Sequence, residues 1–201
     1  MAYSQRLREL LKRLQTLERH FLPKGLKFPA TGQYSIQEED HARAYVLLVH
    51  AEIESYIEDR AQEVVDQTHA NWQQTATCTK TLERLLRYHL DHQRKLWHPV
   101  TKSDAAVSAA INFYGSIVKG NNGVKEANLL SMLFPIGLDY RRLDAAWLAT
   151  MDSFGSVRGT FAHASQIKTQ QSIDPKTEYQ IVKQQILPAM KKLDGMISRL
   201  R

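Results

Sequence analysis

The sequence predicts an all-α protein with an N-terminal helical arm. Three observations lead there. Apolar residues recur three and four apart in one stretch after another, as one buried helix face requires. Helix-start signals stand ahead of those stretches, most clearly the capping box Ser35-Ile36-Gln37-Glu38 and the pair Asp174-Pro175, an N-cap followed by proline at the first helical position. No stretch reads as a convincing strand, and there is no internal repeat or low-complexity tract. With 201 residues, 43% hydrophobic and 24% charged, the chain is long enough to bury a proper core and is globular rather than disordered in composition.

Residues 4–21 form the first expected helix, with Ser4 as N-cap and Leu7, Leu10, Leu11, Leu14, Leu17 and Phe21 on one side. Pro23, Gly25, Pro29 and Gly32 then mark a linker, so this helix is either an arm on the body or a contact to a second subunit. The division expected is 1–34, a basic helix with a Pro/Gly linker, and 35–201, a helical domain. The capping box opens a long helix through Val46, Val49, Ile53, Ile57, Ala61 and Val64, ending near Asn71, with Glu52, Glu54, Glu58 and Asp59 on its polar face. Thr79 or Thr81 starts a third helix that ends before Pro99; Ser103-Asp104 caps a fourth, and Gly120-Asn121-Asn122-Gly123 is a turn. A short helix follows from Val124 to Phe134 and stops at Pro135, with Ile136-Gly137 a second break. Asp139 is expected to cap the next helix, which carries Leu143, Ala146, Trp147, Met151 and Phe154. The last helix starts after Asp174, and Pro188 inside it predicts a kink.

Composition narrows the class. Cys78 is the only cysteine, so no disulfide forms within the chain, which fits a reducing compartment. No apolar run approaches the roughly 20 residues that span a bilayer, and the basic N-terminus lacks an apolar signal core. The expectation is a cytoplasmic protein with no membrane partner. Net charge is +6 but unevenly spread: both ends, 1–28 and 168–201, are rich in Lys and Arg, whereas 36–66 is acidic. Basic ends favour a polyanion, so Arg6, Arg13 and Lys191 are candidates to hold an RNA backbone. The competing reading is that the basic ends pair with the acidic helix.

The stretch Phe154–Ser165 reads F-G-S-V-R-G-T-F-A-H-A-S and sets Arg158 five residues before His163. An always-charged Arg can hold phosphate oxygens and a His can move a proton near neutral pH. That pair suits RNA cleavage without a metal or other cofactor. The His acts as base on a ribose 2′-OH or as acid on the leaving 5′-oxygen, and the Arg neutralises charge on the phosphate. The products are a 2′,3′-cyclic phosphate and a 5′-hydroxyl. On a regular helix five residues give about 140° of net rotation and about 7.5 Å of rise, so the two side chains do not share a face. Either the helix bends or ends at Gly155 or Gly159, or a two-fold axis brings Arg and His from two copies into one cleft. His89 and His92, three apart, with His98 beyond, have a zinc-like spacing; without an HExxH motif or a matching cysteine cluster they read as surface or helix-end histidines. Phosphate-loop and nucleophile-elbow motifs are missing, and Cys78 has no activating context.

The segment N-L-L-S-M-L-F-P-I-G-L-D from Asn128 to Asp139, then Leu143, then R-G-T-F-A-H ending at His163, resembles the HEPN superfamily, in particular its RiboL-PSP type. The helix His50-Ala51-Glu52-Ile53-Glu54-Ser55-Tyr56-Ile57 is similar to that family's early helix, in which an acidic residue follows an apolar run. The resemblance covers roughly residues 36–167. It implies an up-and-down helical bundle (HEPN-like), a homodimer with the two motifs facing each other, and metal-independent endoribonuclease activity in toxin–antitoxin, anti-phage or RNA-processing settings. An antitoxin or regulatory partner is implied with it. Arg158 and His163 carry over as the active pair, and Glu54 as the acidic residue of the early helix, with Glu52 the competing choice. Two positions depart from the pattern. Gly159 stands where the family usually has a polar residue, which favours as an alternative a non-catalytic HEPN module binding nucleic acid, nucleotide or protein. Ser165 stands where the nucleotidyltransferase-controlled toxins have Tyr.

Overall fold

The computed structural model describes residues 3–93, 103–163 and 172–200, with the backbone alone at Gln93, Ala162 and His163. Eight α-helices follow one another among these residues: α1 (Gln5–Phe21), α2 (Ile36–Thr75), α3 (Lys80–Gln93), α4 (Ser103–Lys119), α5 (Glu126–Leu133), α6 (Ala145–His163), α7 (Pro175–Gln180) and α8 (Leu187–Ile197). A π-helical turn, Ile181–Ile186, joins α7 to α8 as one continuous rod. No strand occurs among the described residues.

The start signals read from sequence act as expected where a side chain meets an orphan N–H. Ser4 Oγ accepts from the Leu7 N–H at 3.1 Å and caps α1. Ser35 and Glu38 form the reciprocal capping box: the Glu38 N–H donates to Ser35 Oγ at 3.3 Å and the Ser35 N–H to Glu38 Oε2 at 2.8 Å. Thr79 Oγ1 accepts from the Leu82 N–H at 3.2 Å at the head of α3, and Asp174 Oδ1 accepts from the Lys176 N–H at 2.9 Å ahead of Pro175. Asp139 differs from expectation. It caps a single 3-10 turn, Tyr140–Arg142, and the long helix begins only at Ala145, where Asp144 Oδ1 accepts from the Ala146 N–H at 2.9 Å. Between the two caps the chain is extended at Leu143, which buries its side chain in the core.

The 40-residue α2 is the axis of the bundle and touches every other helix. Tyr45, Val46, Val49, Ile53, Ile57, Ala61 and Val65 along it are all 0% exposed, so it is buried on several sides. Helix α1 runs antiparallel to it, with Phe21 against His41 and Arg13 against Glu52. Leu7, Leu10, Leu14 and Leu17 of α1 belong to the same core, each worth roughly 1.5–3 kcal/mol of burial. The arm is therefore packed along the body over its whole length. The C-terminal rod also lies antiparallel to α1, with Lys183 2.7 Å from Glu18 and Asp194 on Ser4. Pro188 cannot donate to the carbonyl four residues back and its ring crowds it; the wider π-helical turn stands immediately before it.

The Asp194 carboxylate, 2% exposed, ties three elements together. It accepts from the Ser4 backbone N–H at 2.9 Å, Tyr56 Oη at 2.9 Å and Arg60 Nε at 3.1 Å. Burial pushes its pKa up, but these donors prevail and hold it below the usual carboxylate range.

Candidate functional site

The motif stretch lies on α6, and α6 is placed by two close contacts. Asp152 Oδ1 accepts from the Glu126 N–H at 2.7 Å and so caps α5. At Gly155 a Cβ would stand 2.9 Å from Lys125 Cγ, so glycine lets α6 approach this turn. One residue earlier, Phe154, 3% exposed, stacks on the His50 ring of α2 with centroids 5.8 Å apart and 24° between planes. Arg158 follows Phe154 by four residues, hence on the same helix face, and is half-buried. No ion pair or hydrogen bond joins it to another described residue.

His50 faces this point from α2. It is 1% exposed, its Nδ1 is buried without a hydrogen bond, and the carboxylate of Glu54 one turn on lies 3.5 Å away. Burial, and then repulsion from the Arg158 guanidinium, lower its pKa from 6.5 to about 4. The imidazole is thus neutral at physiological pH, and Arg158 stands beside a neutral ring rather than a carboxylate. Sequence reasoning did not single out His50. The signal was present: a lone histidine four residues before a glutamate, in an otherwise apolar stripe.

Of the two glutamates weighed for the early helix, Glu54 faces the site and Glu52 does not. Positions two apart on a helix differ by about 200°. Glu52 pairs with Arg13 of α1 at 2.8 Å. Glu54 Oε1 accepts from the Gly123 N–H and from Asn121 Nδ2, which also donates to Glu58 at 2.7 Å. Gly123 has φ 131, a backbone state that side chains rarely adopt, so glycine is what lets the turn present its N–H to Glu54. Burial and the neighbouring carboxylates of Glu54 and Asp59 raise the Glu58 pKa, with Asn121 opposing. Glu54 thus fastens the 121–123 turn to α2 beside His50.

Helix α6 runs unbroken from Ala145 to His163, through Gly155 and Gly159. Neither glycine ends the helix, and Gly159 has nothing within 4 Å of an added Cβ. The helical geometry therefore leaves Arg158 and His163 on different faces. The His163 side chain lies outside the described residues, as do Ser165 and His98. The other candidates are elsewhere. Arg6 lies 3.6 Å from Asp59 and 3.4 Å from Glu63, Arg13 is on Glu52, and Lys191 sits over the Tyr3 ring at 5.9 Å. The basic N-terminal helix thus meets the acidic stripe of α2. His89 and His92 pack on Phe113 with centroids 5.1 and 5.9 Å away.

Compared with known proteins, residues 3–186 match the model of one family, described as RiboL-PSP-HEPN. No curated protein and no solved structure matches the chain.

Proposed function

We propose, from the premise that this chain belongs to the RiboL-PSP-HEPN family, that it is a metal-independent endoribonuclease acting through Arg158 and His163. Family membership suggests ribonuclease activity; no described helix is long and apolar enough to cross a membrane. The observation that carries the finer reading is the surroundings of Arg158. A half-buried guanidinium beside a neutral imidazole, with no carboxylate on it among the described residues, keeps its charge for an incoming phosphate.

In the proposed reaction the ribose 2′-oxygen attacks phosphorus while His163 takes the 2′-OH proton. The P–O5′ bond breaks and the leaving 5′-oxygen receives a proton from an imidazolium. Arg158 neutralises the charge that gathers on the non-bridging oxygens. The products are a 2′,3′-cyclic phosphate and a 5′-hydroxyl, and DNA, lacking the 2′-OH, is not cut. An unbroken α6 separates Arg158 from His163 on one copy, which supports a homodimer whose composite cleft takes both residues from each copy. Two histidines then serve the two proton transfers. Glu54 acts through the Asn121–Gly123 turn and His50, which makes it a positioning residue. For Arg6 and Arg13 to hold RNA they must trade carboxylates for phosphates, so their share of binding falls steeply with salt. A toxin or anti-phage effector, held by an antitoxin or regulator, is the setting proposed.

The test is RNA incubated in EDTA with wild type, Arg158→Ala and His163→Ala, with 3′-end chemistry as readout. Cyclic phosphate from wild type alone is expected. Equal cleavage by both variants removes the site assignment. RNA bound but uncut by wild type favours the non-catalytic alternative, for which the bare surface at Gly159 speaks.

A further inference from the structure

Between α6 and the C-terminal rod lies a cavity of about 260 Å³ that the phosphate chemistry does not use. Phe154, Val157 and Ile181 form apolar walls, and Thr150, Glu178 and Gln185 bring polar groups. Phe154 in its wall lies one helical turn before Arg158 on the same face of α6, so the cavity adjoins the proposed phosphate position. Thr150 Oγ1 gives its one proton to the Ala146 carbonyl at 2.9 Å and sits 3.2 Å from the Gln185 amide, which is thus able to turn its N–H₂ toward the cavity. Glu178 is half-buried, and no cation or hydrogen-bond donor meets its carboxylate among the described residues. Burial, then the charge of Asp174, raises its pKa. One rim is the π-helical turn Ile181–Ile186, a helix irregularity that recurs at functional sites.

We infer that this cavity is a nucleobase pocket that selects guanine next to the cleaved phosphate. The choice of base follows from hydrogen-bond inventory. Guanine carries two N–H donors side by side, N1–H and N2–H, which one carboxylate accepts together, with the O6 acceptor adjacent for the Gln185 amide. Adenine sets an acceptor nitrogen beside its amino group, cytosine does the same, and uracil flanks its single N–H with two carbonyls. Each of these turns an acceptor toward Glu178. The apolar walls take the faces of the base, as stacking pockets for unpaired RNA bases do. The position of this base relative to a scissile phosphate rests on the ribonuclease reading; the pocket itself does not.

The test is titration of wild type, Glu178→Gln and Gln185→Ala with the four ribonucleoside 5′-monophosphates by calorimetry, alongside sequencing of the ends released from a randomised RNA. Guanosine monophosphate is expected to bind at least about 10-fold tighter than the other three. Glu178→Gln, which keeps the shape and presents a donor, should abolish that preference and scatter the cleavage sites, while Gln185→Ala weakens binding less. Equal binding of all four nucleotides, no binding, or a preference unchanged in Glu178→Gln overturns the pocket. Guanosine monophosphate bound as expected by a protein that cuts no RNA removes the ribonuclease reading and leaves the pocket standing. RNA cut without base preference, with no selective nucleotide binding, does the opposite.

Discussion

Two polar clusters sit on different faces of α2, one buried and one half-buried, and their charges are met differently. At Asp194 each charge is met: the carboxylate has Ser4, Tyr56 and Arg60, while Arg60 also pairs with Glu63 at 2.5 Å and donates to Ser198 at 2.9 Å. At Arg158 the cation faces a neutral imidazole, and the nearest carboxylate of that imidazole is occupied with the 121–123 turn. The first arrangement fixes α1, α2 and α8 against one another. The second leaves His50 Nδ1 without a hydrogen bond and Arg158 without an ion pair among the described residues, which costs stability and is what the proposed phosphate site calls for.

That contrast predicts separable phenotypes. The largest effect is on turnover. Arg158→Ala should lower RNA cleavage by about 10²–10³-fold, as loss of a preorganised charge does, while the unfolding midpoint stays close to wild type. Asp194→Ala should do the reverse. It leaves Arg60 and Tyr56 short of their acceptor, and about 3–5 kcal/mol of stability should disappear in urea unfolding, with cleavage per folded molecule retained. If Asp194→Ala abolishes cleavage in the folded fraction, the two clusters are not separate.

The pH dependence sharpens the same comparison. The folded pKa of His50 is lowered from 6.5 to about 4, so between those values the unfolded chain binds a proton that the native protein does not. Stability therefore rises with pH across this window, by up to about 3 kcal/mol over its full span. His50→Phe keeps a ring on Phe154 and should flatten that slope in unfolding experiments from pH 4 to 7. Asp194 acts lower. Its depressed pKa means that its contribution is complete above the unfolded value of about 3.9 and is lost only as pH falls through the folded value. A slope between pH 4 and 6.5 that persists in His50→Phe would locate the titrating group elsewhere.

The smallest effect belongs to Gly159. It lies in a helix with open space at its Cβ position, so Gly159→Ala should stabilise by at most about 1 kcal/mol, a rise of roughly 2–4 °C in Tm. Gly159→Asn places a polar side chain there and should raise cleavage if the lack of one limits phosphate or His positioning. A fall in Tm for Gly159→Ala would mean that the site is covered.

Much of this was readable in the sequence because its causes are local. Ser4, Ser35 with Glu38, and Asp174 with Pro175 act through N–H groups two or three residues away, so short patterns suffice. The all-α bundle and the family follow from apolar spacing and from the segments around Asn128–Asp139 and Arg158. The pair Asp139 and Asp144 shows where local reading stops. Both are sound helix caps, and burial of Leu143 against the rest of the bundle decides that α6 starts at the second. Likewise the helix period already sets Glu52 and Glu54 about 200° apart, but only their neighbours, Arg13 at one and the 121–123 turn at the other, show which of them lies beside His50. His50 became conspicuous once Phe154 and Arg158 stood against it. Helix periodicity tells which residues a segment will bury. Which charge meets which depends on contacts between residues far apart in the chain, and those exist only after α1, α2, α6 and the C-terminal rod have packed together.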